Sequence, residues 1–437
     1  MKKNKVNIFW FRRDLRLNDN PGLYHALKSG LPVLPLFIFD TIILNKLEDR
    51  ADARVSFIHQ ALTQLSNELA SFNSSLIIKH GSPKDVWLAL QNEYSIENVF
   101  INHDYEPYAM LRDEEVKELL KQKNIELLDF KDQAIFEKNE VLKNDGKPYS
   151  VFTPYKNKWL KKLNDFYLRT YPSEKHLSYF FKTPKSPIPS LKALGFEQSF
   201  SEFPEKEYEN IFANYDKHRN IPSIKGTSHI SVHLRFGTVS IRELVRNAQE
   251  RNAETWLNEL IWRDFYFMII WHFPHVIDRS FKPEYDQIKW RNNEEEFRLW
   301  CEGKTGYPIV DAGMRELNTT GFMHNRVRMI TASFLTKHLL IDWRWGETYF
   351  AKKLLDFELS SNNGGWQWVA GSGCDAAPYF RIFNPHEQTK KFDPQLEYIK
   401  KWVPEFDQPN YPFPIVEHQY ARQRCLMVYK LALKSLK

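Results

Sequence analysis

Over its first 130 residues the chain alternates short apolar runs with amphipathic stretches, a pattern that few folds can accommodate. The apolar runs, which we predict to be five strands, are residues 6–11, 33–39, 75–79, 98–102 and 125–130. The amphipathic stretches, which we predict to be helices, are residues 22–28, 52–72, 83–91 and 108–123. Three of the strands are apolar almost throughout, as strands buried in a parallel sheet must be. Because strands and helices alternate, the pattern predicts a doubly wound, Rossmann-like parallel sheet of five strands in the α/β class.

The rest of the chain follows a different pattern. Residues 132–209 lose the regular period and are rich in Pro, Ser and Lys, which indicates a long connector. Beyond them, long helical stretches are joined by turns. We therefore predict an α/β domain over residues 1–131, a connector over 132–209 and an all-α domain over 210–437.

Composition excludes several classes of protein. Charged residues make up 27% and hydrophobic residues 42% of the 437 positions, which fits neither a disordered nor a fibrous chain. The three cysteines, Cys301, Cys374 and Cys425, are too few and too widely spaced for a zinc quartet or a disulfide framework. No apolar run approaches the ~18 residues of a membrane span, and the N-terminus lacks the apolar core of a signal peptide. We expect a cytoplasmic protein without a metal site or a membrane anchor.

The net charge of +6 permits a polyanionic partner without demanding one. Aromatic residues are unusually frequent at 15%, and ten of the 13 tryptophans lie after residue 255. Nine of the 16 glycines fall between Gly303 and Gly373, which indicates tight turns or a close approach to the backbone. We therefore expect something to pack against the backbone of the C-terminal half.

A first candidate binding segment is GTSHIS, residues 226–231. It offers Thr227, Ser228 and Ser231 around a predicted helix start, where unpaired amides and the positive end of the helix can hold a phosphate. An ordinary Ser/Thr N-cap is the simpler explanation of this segment alone. The segment becomes informative only together with others.

A second candidate segment is WLNELIWRDFYF, residues 256–267. Helical spacing places Glu259, Trp262 and Arg263 on one face, which brings together a carboxylate, a large flat ring and a guanidinium. A surface Glu–Arg pair beside a core tryptophan would give the same pattern. The spacing alone leaves both interpretations open.

Two further segments carry polar groups in unusual surroundings. In HNRVRM, helical spacing brings Asn325, Arg328 and Met329 together beside Arg326. In LLDFELSSNNGGWQW, Asp356 would suit an arginine partner, and the amide of Asn362 can both donate and accept hydrogen bonds. A helix with arginines at its solvent edges and a buried pair of tryptophans would explain the two segments separately. Their combination favours a binding site.

Together these segments resemble the photolyase/cryptochrome family, and more closely its class I cyclobutane pyrimidine dimer (CPD) photolyases. The resemblance is carried by the four segments above and by FWFRRDLRLNDN, YKNKWLKKL, EGKTGYPIVDAGMRELNTTGFMHNRVRMITASFL, IDWRWGETYFAKKLLDFELSSNNGGWQW and CDAAPYFRIFNP. It runs from the first predicted strand to the C-terminal helices. The resemblance implies light-dependent DNA repair by a lyase that carries FAD in its helical domain.

The resemblance also implies which residues hold a folded FAD, whose active form is the fully reduced FADH⁻. By motif position these are Tyr215, Thr227, Ser228, His229, Ile230, Ser231, Arg328, Asp356, Phe357, Glu358 and Asn362. Arg328 would pair with Asp356 beside the flavin ring, and Asn362 would sit at flavin N5, where an amide can accept a hydrogen bond from protonated N5. Glu358 departs from the family, in which a second Asp is usual at this position.

The residues that would bind damaged DNA follow from the same motifs, as do those that would transfer electrons. The resemblance implies a dimer flipped out of the helix and bound by Glu259, Trp262, Arg263, Asn325, Arg326, Met329 and Trp368. Glu259, if protonated, could donate to a thymine carbonyl. Trp366, Trp343 and Trp290 match the family's electron-transfer triad that runs from the flavin to the surface. With Glu259 and Asn362 they form the predicted catalytic set.

Three alternative functions have to be weighed against light-dependent repair of pyrimidine dimers. A cryptochrome, a blue-light receptor without repair activity, is disfavoured because Asn362 stands where plant receptors carry Asp and animal receptors carry Cys. Both lesion-clamping rings, Trp262 and Trp368, are also present, and the sequence ends at Lys437 without a signalling tail. A (6-4) photolyase would carry a His pair at the positions of Asn325 and Met329. A non-enzymatic module that binds FAD or nucleic acid is the remaining alternative.

A second, antenna chromophore is left open. Folate-binding members of the family carry an Asn-Glu pair where this chain has Tyr108 and Ala109, and a Lys where it has Ile277. We therefore expect a deazaflavin or a flavin rather than a folate, unless the antenna site is empty. UV-damaged DNA is the expected partner, and we expect a monomer without an obligate protein partner.

Overall fold

The structure, a computed structural model, describes residues 5–434. Five strands form one parallel sheet in the order β3-β2-β1-β4-β5. They are β1 (Lys5–Phe11), β2 (Val33–Asp40), β3 (Ile77–Gly81), β4 (Ser95–Asn102) and β5 (Glu126–Phe130). The predicted five-stranded parallel sheet is therefore confirmed, although β3 begins and ends two residues later than predicted.

The helices were also predicted in the right places in this part of the chain, with ends that differ by one or two residues. The helices up to residue 250 are α1 (Pro21–Leu27), α2 (Thr41–Leu44), α3 (Ala53–Ala70), α4 (Pro83–Glu93), α5 (Pro107–Lys121), α6 (Phe152–Lys162), α7 (Asp165–Leu168), α8 (Tyr215–His218), α9 (Ser231–Phe236) and α10 (Ile241–Glu250). The short helix α2 was not predicted, and neither were α6 and α7, which lie in the predicted connector. The first turn of α2 is capped by Asp40, whose carboxylate accepts from the N–H of Ile42 at 2.9 Å.

The sheet is covered on both faces because successive side chains of a strand point to opposite sides. On one face Trp10 of β1 meets Trp87 of α4 edge to face, with 5.5 Å between ring centroids. On the other face Phe9 lies against α1 at Gly22, where a Cβ would come within 2.9 Å of the Phe9 ring. Helices on both faces make the sheet doubly wound, as predicted.

The remainder of the chain is helical. Its helices are α11 (Glu254–His272), α12 (Glu294–Glu302), α13 (Pro308–Thr320), α14 (Asn325–Ser333), α15 (Trp343–Lys353), α16 (Leu359–Ala370), α17 (Pro385–Phe392), α18 (Glu397–Trp402) and α19 (His418–Lys434). A π-helical turn, Phe334–His338, follows α14 directly. Short 3₁₀ turns at Ser173–Tyr179, Lys192–Leu194, Glu209–Asn214, Pro274–Ile277 and Pro283–Gln287 complete the regular structure.

The chain forms two compact units, and each is built from three separate stretches. The first holds the sheet and comprises the chain up to Glu137, Lys162–Lys206 and Ile230–Glu250. The second comprises Lys138–Lys161, Glu207–His229 and the chain from Arg251 onwards. The division into residues 1–131, 132–209 and 210–437 stays a prediction of the sequence.

The core of the second unit is formed around α13, α14, α15 and α16. Trp300, Trp343 and Trp366 are fully or almost fully buried there. The C-terminal end of α16 is also anchored: Nζ of the buried Lys337 donates to the carbonyl of Ala370 at 2.8 Å, and the hydroxyl of Tyr429 donates to the same oxygen at 3.1 Å. Helix α16 is thus held firmly within its unit. Within residues 5–434, no helix is both long and apolar enough to cross a membrane.

Candidate cofactor and substrate cavity

A cavity of about 390 Å³ opens in the second unit, between α11, α14 and α16. Its volume lies within the range of small-molecule and cofactor sites. The predicted site residues that line it are Glu259, Trp262, Asn325, Arg326, Arg328, Met329, Asp356, Phe357, Glu358, Asn362, Trp366 and Trp368. Residues from three distant segments of the sequence therefore meet in one cavity.

One wall of the cavity is a face of α16. Ser361, Asn362, Gly365, Trp366 and Val369 recur at helical spacing and all line the cavity. A Cβ placed at Gly365 would meet no atom within 4 Å, because it would project into open space. The absence of a side chain there leaves a smooth surface over which a flat group can lie.

The neighbouring glycine has a different role. A Cβ at Gly364 would come within 2.2 Å of the ring of Tyr266 on α11. Only a glycine allows the two helices to approach this closely, and Tyr266 itself lines the cavity. The Gly364-Gly365 pair thus brings α16 against α11 and keeps the cavity open beside the contact.

The amide of Asn362 has a fixed orientation. Its Nδ2 donates to the backbone carbonyl of Glu347 at 3.1 Å and to Oε1 of the same residue at 2.8 Å. Burial raises the pKa of Glu347, while the bond from Asn362 lowers it. Because both N–H groups of the amide bind Glu347, its carbonyl oxygen is the group that it can present to the cavity.

Two arginine–carboxylate pairs hold the chain where it enters α16. Nη2 of Arg328 on α14 donates to both carboxylate oxygens of Asp356, at 3.0 and 3.1 Å, and its Nε donates to the carbonyl of Met323. Arg263 on α11 donates through Nε and Nη2 to the two oxygens of Glu358, at 2.9 and 3.1 Å. The predicted Arg328–Asp356 pair is present, and the second pair had not been foreseen.

Arg263 therefore does not lie where its predicted role places it. Its side chain is only 9% exposed, and its guanidinium rests on the ring of Phe267, 4.6 Å from the ring centroid. It lies outside the lining of the cavity, unlike Glu259 and Trp262 on the same helix. The bidentate pair with Glu358 directs this arginine towards α16 rather than towards DNA.

A second wall, on α11, carries the carboxylate of Glu259. Its Oε1 accepts from Nη1 of Arg219 at 2.6 Å. Burial raises the pKa of Glu259, and the attraction of Arg219 opposes this shift without cancelling it. The wall thus presents a carboxyl group that holds its proton to a higher pH than an exposed glutamate does.

Trp262 is the flat ring of the same wall. Its ring lies parallel to that of Phe152, with 3.7 Å between centroids and 5° between planes. Phe265 and Tyr266 pack around it at 5.6 and 5.5 Å. Trp262 is therefore held among three other aromatic rings.

Helix α14 supplies the third side of the cavity. It begins at Asn325 because Nδ1 of His324 accepts from the N–H of Arg326 at 3.1 Å. Burial and the neighbouring arginines lower the pKa of His324 to about 4, which keeps its ring neutral and able to accept. Arg326 donates to Oδ1 of Asn220 at 2.6 Å and stacks on Phe392, 4.4 Å from the ring centroid.

The remaining predicted cofactor residues lie outside the lining of the cavity. Tyr215 is buried beneath the guanidinium of Arg219, and the hydroxyl of Ser228 accepts from Nε1 of Trp256 at 3.4 Å. His229 has a φ of +52° and stacks on Phe322, with 4.0 Å between centroids. Thr227 precedes this turn, and Ile230 and Ser231 follow it, with Ser231 beginning α9 as the predicted helix start requires.

Comparison with known proteins identifies the family. Residues 7–175 match the family described as DNA photolyase, and residues 256–409 match the family described as FAD binding domain of DNA photolyase. The deoxyribodipyrimidine photo-lyase of Escherichia coli K12 is 38% identical over 475 residues, which cover 98% of this chain and 99% of the relative. The chain belongs to the photolyase/cryptochrome family.

Two solved photolyase structures have the same fold over nearly the whole chain. A bacterial class III photolyase from Agrobacterium tumefaciens has a TM-score of 0.87 at 32% identity and covers 99% of this chain and 98% of its own. An archaeal photolyase from Sulfolobus tokodaii, described with two FAD molecules, has a TM-score of 0.78 at 33% identity and covers 98% of this chain and 100% of its own. The α/β sheet and the helical FAD-binding part are thus those of a photolyase.

The three tryptophans of the predicted photolyase triad differ in exposure. Trp366 lines the cavity and is 2% exposed, Trp343 is 1% exposed, and Trp290 is only partly buried at the edge of the same core. Trp366 packs edge-on against Phe350, with 5.0 Å between centroids. Trp290 meets Tyr429 edge to face at 6.1 Å. Trp366 lines the cavity, and Trp290 is the most exposed of the three rings.

Several residues of this photolyase cavity were missed by the sequence analysis. Arg219, Glu347 and Phe152 contact or shape the predicted site, yet none was among the predicted residues. They lie 15 to 110 residues from their partners in the sequence, where local spacing gives no signal.

Proposed function

We propose that the protein repairs UV-damaged DNA by splitting cyclobutane pyrimidine dimers under blue light, with reduced FAD as its cofactor. The observation that carries the proposal is the cavity itself. The α16 wall is suited to a flat cofactor, and α11 and α14 carry a carboxyl group, an amide, a thioether and an indole ring suited to a pyrimidine dimer. The full-length similarity to deoxyribodipyrimidine photo-lyases supports the same activity.

The α16 wall fits the isoalloxazine of FAD. Gly365 leaves room where a side chain would project, and Asn362 offers a carbonyl oxygen held in place by Glu347. Asp356, Phe357 and Glu358 line the cavity at the N-terminal end of the same helix. Tyr215, Thr227, Ser228, His229, Ile230 and Ser231 remain candidates for the ribityl chain and the phosphates, by motif position.

FAD, when bound and reduced, supplies an electron to the dimer after it absorbs light. The protein supplies the surroundings for that transfer. Asn362 presents an acceptor, so it favours a partner that carries a proton at the facing nitrogen. Glu347 accepts hydrogen bonds from both N–H groups of the Asn362 amide and so prevents the amide from flipping.

The lesion would be bound by the α11 and α14 sides of the cavity together with Trp368 of α16. Trp262 and Trp368 would clamp the apolar edges of the dimer, and Met329 would fill the space between them. The protonated carboxyl of Glu259, which burial favours, would donate a hydrogen bond to a thymine carbonyl. Asn325 would form a hydrogen bond with a second thymine carbonyl. Arg326, at the same cavity, would meet the phosphate backbone.

The tryptophans Trp366, Trp343 and Trp290 would return the cofactor to its reduced state under light. Trp366 lines the cavity and Trp290 lies at the partly buried edge of the core, which supports assigning these two rings to the two ends of the triad. An electron that enters at the exposed end would be passed inward through rings that are otherwise fully packed.

For the antenna chromophore we propose a deazaflavin or a flavin rather than a folate. Tyr108 and Ala109 replace the Asn-Glu pair of folate-binding members, and the hydroxyl of Tyr108 donates to Oδ2 of Asp40 at 2.5 Å. The Sulfolobus tokodaii photolyase, described with a second FAD as a light-harvesting cofactor, supports a flavin. An absorption spectrum of protein isolated from its native host tests this, and a bound folate would refute it.

The proposed partner is DNA that carries a dimer flipped out of the helix, bound by a cytoplasmic monomer without an obligate protein partner. The decisive experiment illuminates the purified, reduced protein with an oligonucleotide that contains one thymine dimer. We expect loss of dimers under blue light and none in the dark. Persistence of the dimers with reduced FAD bound would instead favour a cryptochrome-type receptor.

A further inference from the structure

The ring of Trp262 is backed by a residue from another part of the chain. Phe152, the first residue of α6, lies parallel to Trp262 at 3.7 Å and is 7% exposed. At this distance the faces of the two rings are in direct contact. One face of Trp262 is therefore covered, and a base that stacks on this indole from the cavity must use the other face.

Phe152 is itself held in place by two contacts. Its backbone N–H donates to Oδ2 of Asp375 at 3.0 Å, so this carboxylate accepts a bond from the first turn of α6. Asp375 has a φ of +48°, in the left-handed region, on the loop that follows α16. The ring of Phe152 also meets Phe265 edge to face at 5.8 Å. These contacts fix both the start of the helix and the plane of the ring.

We propose that Phe152 is a positioning residue that sets the ring plane of Trp262 for stacking on the damaged base. The inference rests on the proposed function, because it presumes that Trp262 contacts the dimer. A ring that is already oriented loses less conformational freedom when the base stacks on it. The contact of Phe152 with Trp262 therefore increases affinity for the lesion, although Phe152 itself does not contact the lesion. Phe152 has no part in electron transfer, and repair of a bound dimer does not depend on it.

The test compares the affinity of Phe152→Leu and wild-type protein for an oligonucleotide with one thymine dimer, in the dark, by fluorescence anisotropy. Aromatic pairs contribute enough that we expect affinity for the damaged strand to fall about 2- to 12-fold. Affinity for the undamaged strand and the amount of bound FAD should stay unchanged. Under light, KM should rise in the same proportion while kcat stays at the wild-type value.

A double-mutant cycle separates positioning from a general structural effect. In a Trp262→Ala background, Phe152→Leu should cause no further loss, because the ring that it positions is gone. Phe152→Tyr keeps the stack and should restore wild-type affinity. Phe334→Leu is the matched control, since it removes a buried ring from the same unit outside the cavity. It should lower the melting temperature and leave lesion affinity unchanged.

The outcomes are distinct. If wild-type protein does not prefer the damaged strand, the proposed function fails and this inference fails with it. If the wild type prefers damage but Phe152→Leu binds it equally well, only this inference is overturned. A loss that persists in the Trp262→Ala background also overturns it. Should Phe152→Leu not fold, Phe152→Met, which keeps the apolar volume but removes the flat face, gives the same comparison.

Discussion

The two helices α16 and α11 both line the cavity but present different groups to it. Helix α16 presents an anchored amide, a bare backbone and the innermost tryptophan, all of which are rigid. Helix α11 presents a carboxyl group with a raised pKa and an indole backed by another ring. The α16 wall suits a permanently bound cofactor, and the α11 wall suits a substrate that binds and dissociates. Substitutions of Asn362, Gly365 and Trp366 on α16 should therefore alter the cofactor, and those of Glu259 and Trp262 on α11 should alter lesion binding.

The largest expected effect is at the smooth part of α16. Gly365→Leu would fill the space against which the cofactor lies, and overpacking of this kind costs ~1–3 kcal/mol. We expect the affinity for FAD to fall about 5- to 150-fold. The ratio of FAD to purified protein measures this, and Gly365→Ala should give a smaller loss. Full FAD content in the leucine variant would show that the cofactor does not lie on this wall.

The second prediction separates the two kinds of electron transfer. Trp366→Phe should remove most of the rate at which light reduces bound, oxidised FAD, because the ring next to the cavity is the first donor. Repair by chemically reduced enzyme should be largely intact. Absorbance changes under illumination measure the first quantity and dimer loss the second. Trp402→Phe, at the edge of the same core, serves as the control. Equal loss of both activities would contradict the triad assignment.

The third prediction concerns the indole on α11. Trp262→Ala should weaken binding of dimer-containing DNA by ~1–3 kcal/mol, as expected for the loss of one stacked base. FAD content should be unchanged. Trp345→Ala removes a partly buried tryptophan outside the cavity lining and should leave both unchanged. Filter binding or anisotropy gives the affinities, and wild-type affinity in Trp262→Ala would separate this ring from the lesion.

The smallest expected effect is that of pH on lesion binding through Glu259. Its pKa is raised above the ordinary value of 4.5, chiefly by burial. The protonated carboxyl can donate, so affinity for the dimer should decline as pH rises through the raised pKa. The contribution of this group to folding stability has the same sign: it is fully present below pH 4.5 and is lost as pH rises through the folded-state pKa.

Glu259→Gln tests the pH prediction directly, because its amide donates at every pH. Affinity for the dimer, measured from pH 4.5 upwards, should then be independent of pH. A wild-type profile as flat as that of the glutamine variant would show that Glu259 does not act through its proton.

The sequence predicted the sheet well because the information needed is local. An apolar run of a few residues between amphipathic stretches identifies a buried parallel strand; β3 is displaced by two residues, and β4 begins three residues earlier than predicted. Helical spacing likewise brought Glu259 and Trp262, and Arg328 and Met329, to the same cavity. The family resemblance supplied the roles that spacing could not.

The sequence analysis did not predict contacts between residues that are distant in the sequence. It also did not predict which of several possible partners a charged side chain binds. Arg263 has the right spacing to face the cavity with Glu259, yet its guanidinium pairs with Glu358, 95 residues away. The extra methylene of Glu358, compared with the usual aspartate, lengthens its reach towards that arginine. Phe152 lies in the stretch predicted as a connector, so nothing in its neighbourhood indicates that it supports Trp262.

Helix α16 is anchored at both ends. The Arg263–Glu358 ion pair holds its start, and hydrogen bonds from Lys337 and Tyr429 to the carbonyl of Ala370 hold its end. Such a helix does not fray by itself, so its amide hydrogens should exchange with solvent only when the whole unit opens. A group bound along it would then be released no faster than that opening. The protein would keep its cofactor through many cycles of DNA binding, and once emptied it would be slow to reload.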